Sequence, residues 1–501
     1  MSAGAQPTDV RPTEDVAVTA GRGAIFIGFA KIYFMLSGLA QQVLLGKLLD
    51  VAAFGAFGVV NSVVSIVNNT MVQATVQSVS KFTAEDDRRV GAVQRAGLRM
   101  QALLGVVVGV GFFAAAPLVA AFEKAPQYTT YFRIAAAIPL LYAFYTVFVG
   151  TANGQRKFSV QASFDITFST LKTVLLVGLA VAFSVTGAFA GFAAAAAAIL
   201  VIAWRRMRIA PEAGEVFPAA RLVPYMGAVA VYALLLNLAL LYDQPLLQHF
   251  AGEVDAARAP VVAGHYFALR TLALLPYQAL IVITFVIFPL VSRATFEQDR
   301  AATRAYVRQT MRYALIFATA MGLGLAARPG ALLAIVYKPE YGEGATALPL
   351  LVAGECCLAL LAVACSILNA AGRTRASVAL MVVTVVVGAA AAAALVPRAA
   401  PGAPMLTAAA TATSLGMIAG LVAALVYLQA QLGGSLPGTT VARVALSAGV
   451  AVGVGHLLPA HGKVLGLAAI AAVVVVYVVA LVALREFGEE DRAKVRRILE
   501  R

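Results

Sequence analysis

Charged side chains inside apolar runs are where this sequence concentrates its chemistry. Lys31, Arg133, Lys172 and Arg270 interrupt stretches otherwise built mostly from Ala, Val, Leu, Ile and Phe; so do the acids Asp165 and Glu355, while Asp243 closes another such stretch. A charge at the middle of a bilayer costs about 2.5–3.5 kcal/mol on insertion scales, so residues of this kind face a partner or a wet cavity. Four cations held against that cost point to an anionic ligand, which Arg holds with a bidentate fork and Lys as a point charge. Arg270 is the leading candidate, and the alternative for it is structural pairing with Asp243 or with a helix carbonyl. Lys31 is open to either use, and Arg133 lies close enough to a helix end to snorkel to the interface instead.

Lys172 and Asp165 are seven residues apart, two turns along one helical face and about 10 Å by the helical rise, too far to pair directly. Lys172 can line a cavity while Asp165 offers a proton or cation site; equally, neighbouring helices can neutralise both. Glu355, in VAGECCLAL, is a buried carboxyl suited to proton coupling. Arg300, Arg304, Arg308 and Arg312 recur every four residues and form one face of a helix, a stripe suited to anionic headgroups.

Enzymatic chemistry has no such support. The four histidines, His249, His265, His456 and His461, are scattered, and neither HExxH nor a Gly-rich phosphate loop with Lys-Ser/Thr occurs. Cys356, Cys357 and Cys365 share one apolar stretch, which leaves no disulfide framework or second cluster for a metal and makes them packing residues. No catalytic residue, metal ligand or cofactor is expected. Any energy for work must come from a gradient, the membrane potential or removal of product.

The elements that position these residues follow from composition. Of 501 residues 61% are apolar and only 12% charged, against roughly 25% charged in soluble domains, which excludes a water-soluble fold. The net charge of +14 belongs on loops facing an anionic membrane surface, not on a nucleic-acid groove. A spanning helix needs about 20 apolar residues. Runs of that kind fall at 23–45, 54–78, 100–122, 130–150, 160–184, 186–204, 222–242, 264–291, 312–336, 346–369, 377–396, 405–428, 441–458 and 464–484. The expectation is an all-α integral membrane protein of about fourteen transmembrane helices. With the N-terminus inside, about 27 of the 38 basic residues fall on cytoplasmic segments, which places both termini in the cytoplasm. Residues 1–21 read as a disordered tail and 485–501 as an amphipathic cytoplasmic one.

Two halves of the chain echo each other. SKFTAEDDRR from Ser80 matches SRATFEQDRA from Ser292, TANGQRKFSV from Thr151 matches NAAGRTRASV from Asn369, and Gly55 with Phe57 matches Gly264 with Tyr266. Six spans separate the equivalents. An even number means that both copies enter from the same side, giving parallel six-helix repeats over 22–208 and 222–430 with a helix pair, 441–484, appended. Counted from Gly55 and Gly264, Arg270 corresponds to Asn61, so the two would face each other across the axis and Arg270 would face a solvent-accessible cavity.

The sequence resembles the polysaccharide and oligosaccharide-lipid flippases of the multidrug/oligosaccharidyl-lipid/polysaccharide exporter superfamily. The resemblance runs through GLAQQVLLGKLLDVAAFGAFGVVNSV (Gly38 to Val63), TANGQRKFSVQASFDITFSTLKTVLL, LLYDQPLLQHF ahead of AGHYFALRTLALLP, and LNAAGRTRASV. It implies two six-helix lobes that move lipid-linked sugars outward from the cytoplasmic leaflet of a bacterial inner membrane. The anionic ligand is then a polyprenyl-diphosphate-linked glycan, with Gln41, Gln42, Asn61, Asn68 and Asn69 either contacting its hydroxyls or serving as interhelical glue. Many relatives carry Arg where Gln41 stands, so that contact is missing here or supplied by Lys31. The competing expectations are a cation-coupled multidrug exporter of the same superfamily and a scaffold that binds other polysaccharide-assembly proteins, whose intramembrane charges would be mutually paired.

Overall fold

The computed structural model describes residues 14–210, 215–458, 462–488 and 491. Seventeen α-helices account for nearly all of them. The first half holds α1 (Glu14–Leu48), α2 (Val51–Glu85), α3 (Val90–Phe122), α4 (Thr129–Ala135), α5 (Ala137–Gly154) and α6 (Phe158–Met207). The second holds α7 (Leu222–Leu241), α8 (Asp243–Val254), α9 (Ala259–Ala273), α10 (Leu275–Phe296), α11 (Arg300–Ala326), α12 (Pro329–Val336), α13 (Leu348–Ala370), α14 (Thr374–Leu395) and α15 (Ala403–Leu432). The chain continues with α16 (Gly438–Leu457) and α17 (Lys463–Ala483).

Local chemistry sets the helix ends. Asp50 caps α2 by accepting from the Ala53 N–H at 2.8 Å, and Asp299 caps α11 through Ala302 at 2.9 Å. Proline breaks what hydropathy reads as single spans. The region 130–150 divides into α4 and α5 ahead of Pro139, and 264–291 divides into α9 and α10 at Pro276, while Pro245 falls in the first turn of α8, past the end of the run 222–242. At Pro329, α11 and α12 meet at 76°. Each proline removes an intrahelical donor and disfavours helix in the residue before it.

Residues 160–204 form the reverse case, a single helical element that contains a reversal. At Ser184 the backbone takes φ 52° and ψ −137°, and the helix returns on itself. A Cβ on Gly187 would lie 2.0 Å from the Leu179 carbonyl oxygen, and one on Gly191 2.3 Å from that of Leu175. Only glycine permits so close an approach of the two legs.

Among the described residues ten elements are long and apolar enough to cross a membrane, with α6 counted once, or eleven with the bent α11–α12 pair. This is an all-helical, multi-pass membrane protein. The apolar run 23–45 lies within α1, which is helical from the first described residue, Glu14, to Leu48. Residues 1–13, and the tail past 488 apart from Asp491, lie outside the described residues.

In the first half α1 packs on α6, and α5 on α2, α3 and α6; in the second, α13 packs on α10, α11 and α15, and α14 on α15. The halves join where α2 lies along α7 and α9, and α16 and α17 pair with each other and lean on α11.

Candidate functional site

A polar cluster forms inside the second half because the break at Tyr242 starts a new helix on Asp243. Arg270 and Tyr266 stand one turn apart on α9 and both reach this carboxylate. Arg270 Nε donates to Asp243 Oδ2 at 2.9 Å, and the Tyr266 hydroxyl donates to the same oxygen at 2.9 Å. Thr413 of α15 lies 3.0 Å from the Tyr266 hydroxyl. Arg270 is 4% exposed and Asp243 5%. Satisfaction is incomplete: Asp243 Oδ1 and one terminal nitrogen of Arg270 lack partners among the described residues. Glu355 on α13 is fully buried, and neither of its oxygens has one. Partly satisfied buried networks are costly.

The expectation that Arg270 faces an open cavity, with Asn61 across the axis, is corrected by this geometry. Its guanidinium is closed against Asp243 within its own half, and Asn61 stands half-buried on α2 outside that network.

In the first half a polar ladder joins α1 to the outgoing leg of α6. Lys31 Nζ donates to Asp165 Oδ2 at 2.9 Å, the Tyr33 hydroxyl meets Thr170 Oγ1 at 2.8 Å, and Ser37 Oγ meets Thr173 Oγ1 at 2.9 Å. The Lys31 side chain keeps 43% of its exposure. Lys172 does not reach Asp165; its ammonium lies 4.1 Å from the ring centroid of Phe192 on the returning leg, a cation–π contact. Phe192, Tyr142, Tyr145 and Phe168 form one aromatic group beside it. Arg133 is exposed near the end of α4, over the Phe113 ring.

Of the amide side chains on α1 and α2, Asn69 makes a bond between helices. Asn69 Nδ2 donates to Asn237 Oδ1 at 3.2 Å, tying α2 to α7. Gln41 is buried, and Gln42 Oε1 and Asn68 Oδ1 are buried without partners among the described residues. Sequence reasoning missed Tyr266 and Thr413. Tyr266 had a signal, its position four residues before Arg270; Thr413 had none, since it comes from a helix 147 positions away.

Away from the arginine-rich end, the halves close on each other. Lys338 Nζ donates to the Leu49 carbonyl at 3.1 Å, Lys124 pairs with Glu253 at 3.6 Å, and His249 bonds the Phe122 carbonyl. Phe54 packs against Phe267 and Tyr341 with ring centroids 5.0 and 6.1 Å away. Beside this seam Glu123 is 1% exposed, and burial pushes its carboxyl up to about 9.

This arrangement of helices is a fold found in solved membrane transporters. It is similar to the lipid II flippase MurJ in an inward closed conformation, with TM-score 0.73 at 13% identity over 92% of this chain and 99% of that one. It is also similar to an inward-facing multidrug resistance MATE family transporter of the MOP superfamily, with TM-score 0.67 at 15% identity over 82% and 98%. A MOP superfamily transporter from Pyrococcus furiosus, described as having a binding pocket of reverse polarity, gives 0.61 at 14% over 84% and 99%. Comparison of the sequence with curated proteins finds no match. The family model for polysaccharide biosynthesis proteins matches residues 44–344, and the chain belongs to that family.

Proposed function

We propose that the protein is a flippase that carries a polyprenyl-diphosphate-linked oligosaccharide outward across a bacterial inner membrane. Fourteen spans, both termini in the cytoplasm and two parallel six-helix halves working by alternating access complete the reading. The observation that carries it is Lys172, an ammonium kept inside the apolar α6 hairpin with an aromatic face and, among the described residues, no carboxylate for a partner. Retaining such a charge is costly unless an anion visits it. Lys31, paired but half-open, is the second headgroup cation. Arg270 joins them only when its bond to Asp243 opens. Asp243, Asp165 and Glu355 are the coupling acids, and Gln41, Gln42, Asn61 and Asn68 supply polar contacts to the sugar.

A scaffold without transport activity is favoured by one feature, the mutual pairing of Lys31 with Asp165 and Arg270 with Asp243. Against it stand Lys172 and Glu355, which have no ionic partner among the described residues. The test is headgroup transfer in proteoliposomes with a defined polyprenyl-diphosphate sugar. Transfer above empty vesicles is the expected result. Vesicles that export organic cations but not the lipid would establish the multidrug reading, and vesicles that do neither would establish the scaffold.

A further inference from the structure

At the arginine-rich end, α11, the start of α16 and Arg485, Glu486, Gly488 and Asp491 after α17 line an open cavity of about 580 Å3. Arg308 and Arg312 of α11, Arg443 of α16 and Arg485 line it, facing Glu486 and Asp491. The two acids are already engaged. Glu486 accepts from Arg312 Nε at 2.7 Å, from Thr440 Oγ1 at 2.8 Å and from Arg443 Nη1 at 3.1 Å. Asp491 accepts from Arg312 Nη2 at 2.9 Å and from the Tyr313 hydroxyl. Arg308 and Arg485 are exposed and pair with no acid among the described residues, so four guanidiniums face two carboxylates.

Arg304 of the stripe does something else. A Cβ on Gly433 would lie 2.8 Å from the Arg304 guanidinium, which packs on the turn after α15. Only Arg308 and Arg312 of the stripe reach the cavity. Its surroundings then turn apolar: Val441 and Leu446 on α16, and Val482 and Leu484 at the end of α17, are all exposed. A phosphate bearing hydrocarbon chains satisfies both surfaces, whereas a soluble phosphate satisfies only the first. Guanidinium forks suit phosphate oxygens, and basic pockets between helices at a membrane face suit anionic headgroups.

We infer that this cavity holds the phosphate of an anionic phospholipid, gripped by Arg308, Arg443 and Arg485, with the acyl chains lying along α16 and α17. Bound there, the lipid fastens the appended helix pair to α11 and so to the second half. This site is separate from the intramembrane cluster, and its test does not depend on transport.

The full-length protein in detergent is unfolded thermally with phosphatidylglycerol, phosphatidylcholine or inorganic phosphate added at matched concentration. Phosphatidylglycerol raises Tm by several degrees and the other two do not. The double variant Arg308→Gln/Arg485→Gln loses at least half of that rise, and Arg398→Gln, outside the cavity, keeps it. Both substituted side chains are exposed and pair with no acid among the described residues, so the fold tolerates their loss. Native mass spectrometry of the unaltered protein gives a second readout, a phosphatidylglycerol adduct that survives activation which strips phosphatidylcholine. Equal shifts with the two lipids, a full shift in the double variant, or a full shift with inorganic phosphate alone overturns the assignment.

Discussion

Gly55 of α2 and Gly264 of α9 meet backbone to backbone where the two halves cross. A Cβ on Gly55 would lie 2.0 Å from the Pro260 carbonyl oxygen, and one on Gly264 2.0 Å from that of Val51. Val51 to Pro260 and Gly55 to Gly264 are both 209 positions apart, so each contact becomes the other when the halves are exchanged. Reciprocal contacts of this form are what a local two-fold axis produces.

Both glycines should therefore respond alike to a methyl group. Gly55→Ala and Gly264→Ala are each expected to destabilise by about 1–3 kcal/mol, the usual cost of overpacking. The double variant should cost less than the sum, because one separation of α2 from α9 relieves both clashes. Thermal unfolding in detergent measures all three. Strict additivity would mean that the two contacts are independent.

The Arg270–Asp243 pair gives a second expectation. Removing one partner of a buried pair costs about 3–5 kcal/mol, since it strands the other charge. Arg270→Gln and Asp243→Asn should each destabilise on that scale, and the combination of the two should recover much of the loss. A double variant as unstable as the sum of the singles would show that the two groups are held by something other than each other.

Acid should loosen the appended helix pair. Burial pushes the Glu486 carboxyl up, but hydrogen bonds from Arg312, Thr440 and Arg443 outweigh it and leave the group below its ordinary value. Burial likewise raises Asp491, and bonds from Tyr313, Arg312 and the Gly488 N–H outweigh it. Carboxyls held low in the folded state stabilise above their unfolded values, about 4, and that stability is lost as pH falls through the folded ones. Hydrogen exchange of α16 and α17 should rise below about pH 4. Glu486→Gln should raise it already at neutral pH, and identical pH profiles for the two proteins would sink the assignment.

Glu123 has the opposite sign. Its folded value of about 9 exceeds the unfolded one, so the folded state holds a proton that the unfolded chain releases above about pH 4. Stability should fall as pH rises through that window, and Glu123→Gln should remove the slope and stabilise at neutral pH. An unchanged slope in the variant would place the titration elsewhere.

Much of this was legible in the sequence, for reasons that also mark where legibility ends. Hydropathy reports depth along the membrane normal, so the apolar runs fall on helices, and the prolines at 139, 276 and 329 account for the broken ones. It carries no information on rotation about a helix axis. Arg270 was therefore found as an intramembrane cation, with Asp243 named as its alternative partner, but its orientation toward that partner came only from the structure. The same holds for Lys31 and Asp165, 134 positions apart and joined only because α1 packs on α6.

Lys172 carries the final prediction. Arg270 is closed against Asp243 and Lys31 is paired with Asp165, whereas the Lys172 ammonium meets, among the described residues, the Phe192 ring and no carboxylate. A cation–π contact stabilises a desolvated ammonium by about 2 kcal/mol, less than ionic pairing with an arriving diphosphate would supply. Removing this charge should thus affect transfer more than stability. Lys172→Gln is expected to cut headgroup transfer in proteoliposomes by at least tenfold while leaving insertion and Tm nearly unchanged, and Lys172→Arg should retain part of the rate because the charge survives. Phe192→Leu should fall between them, since it removes the resting partner without touching the cation. A Gln variant that transfers at the full rate would make Lys172 a packing residue, and a Gln variant that loses Tm and transfer together would make its role structural.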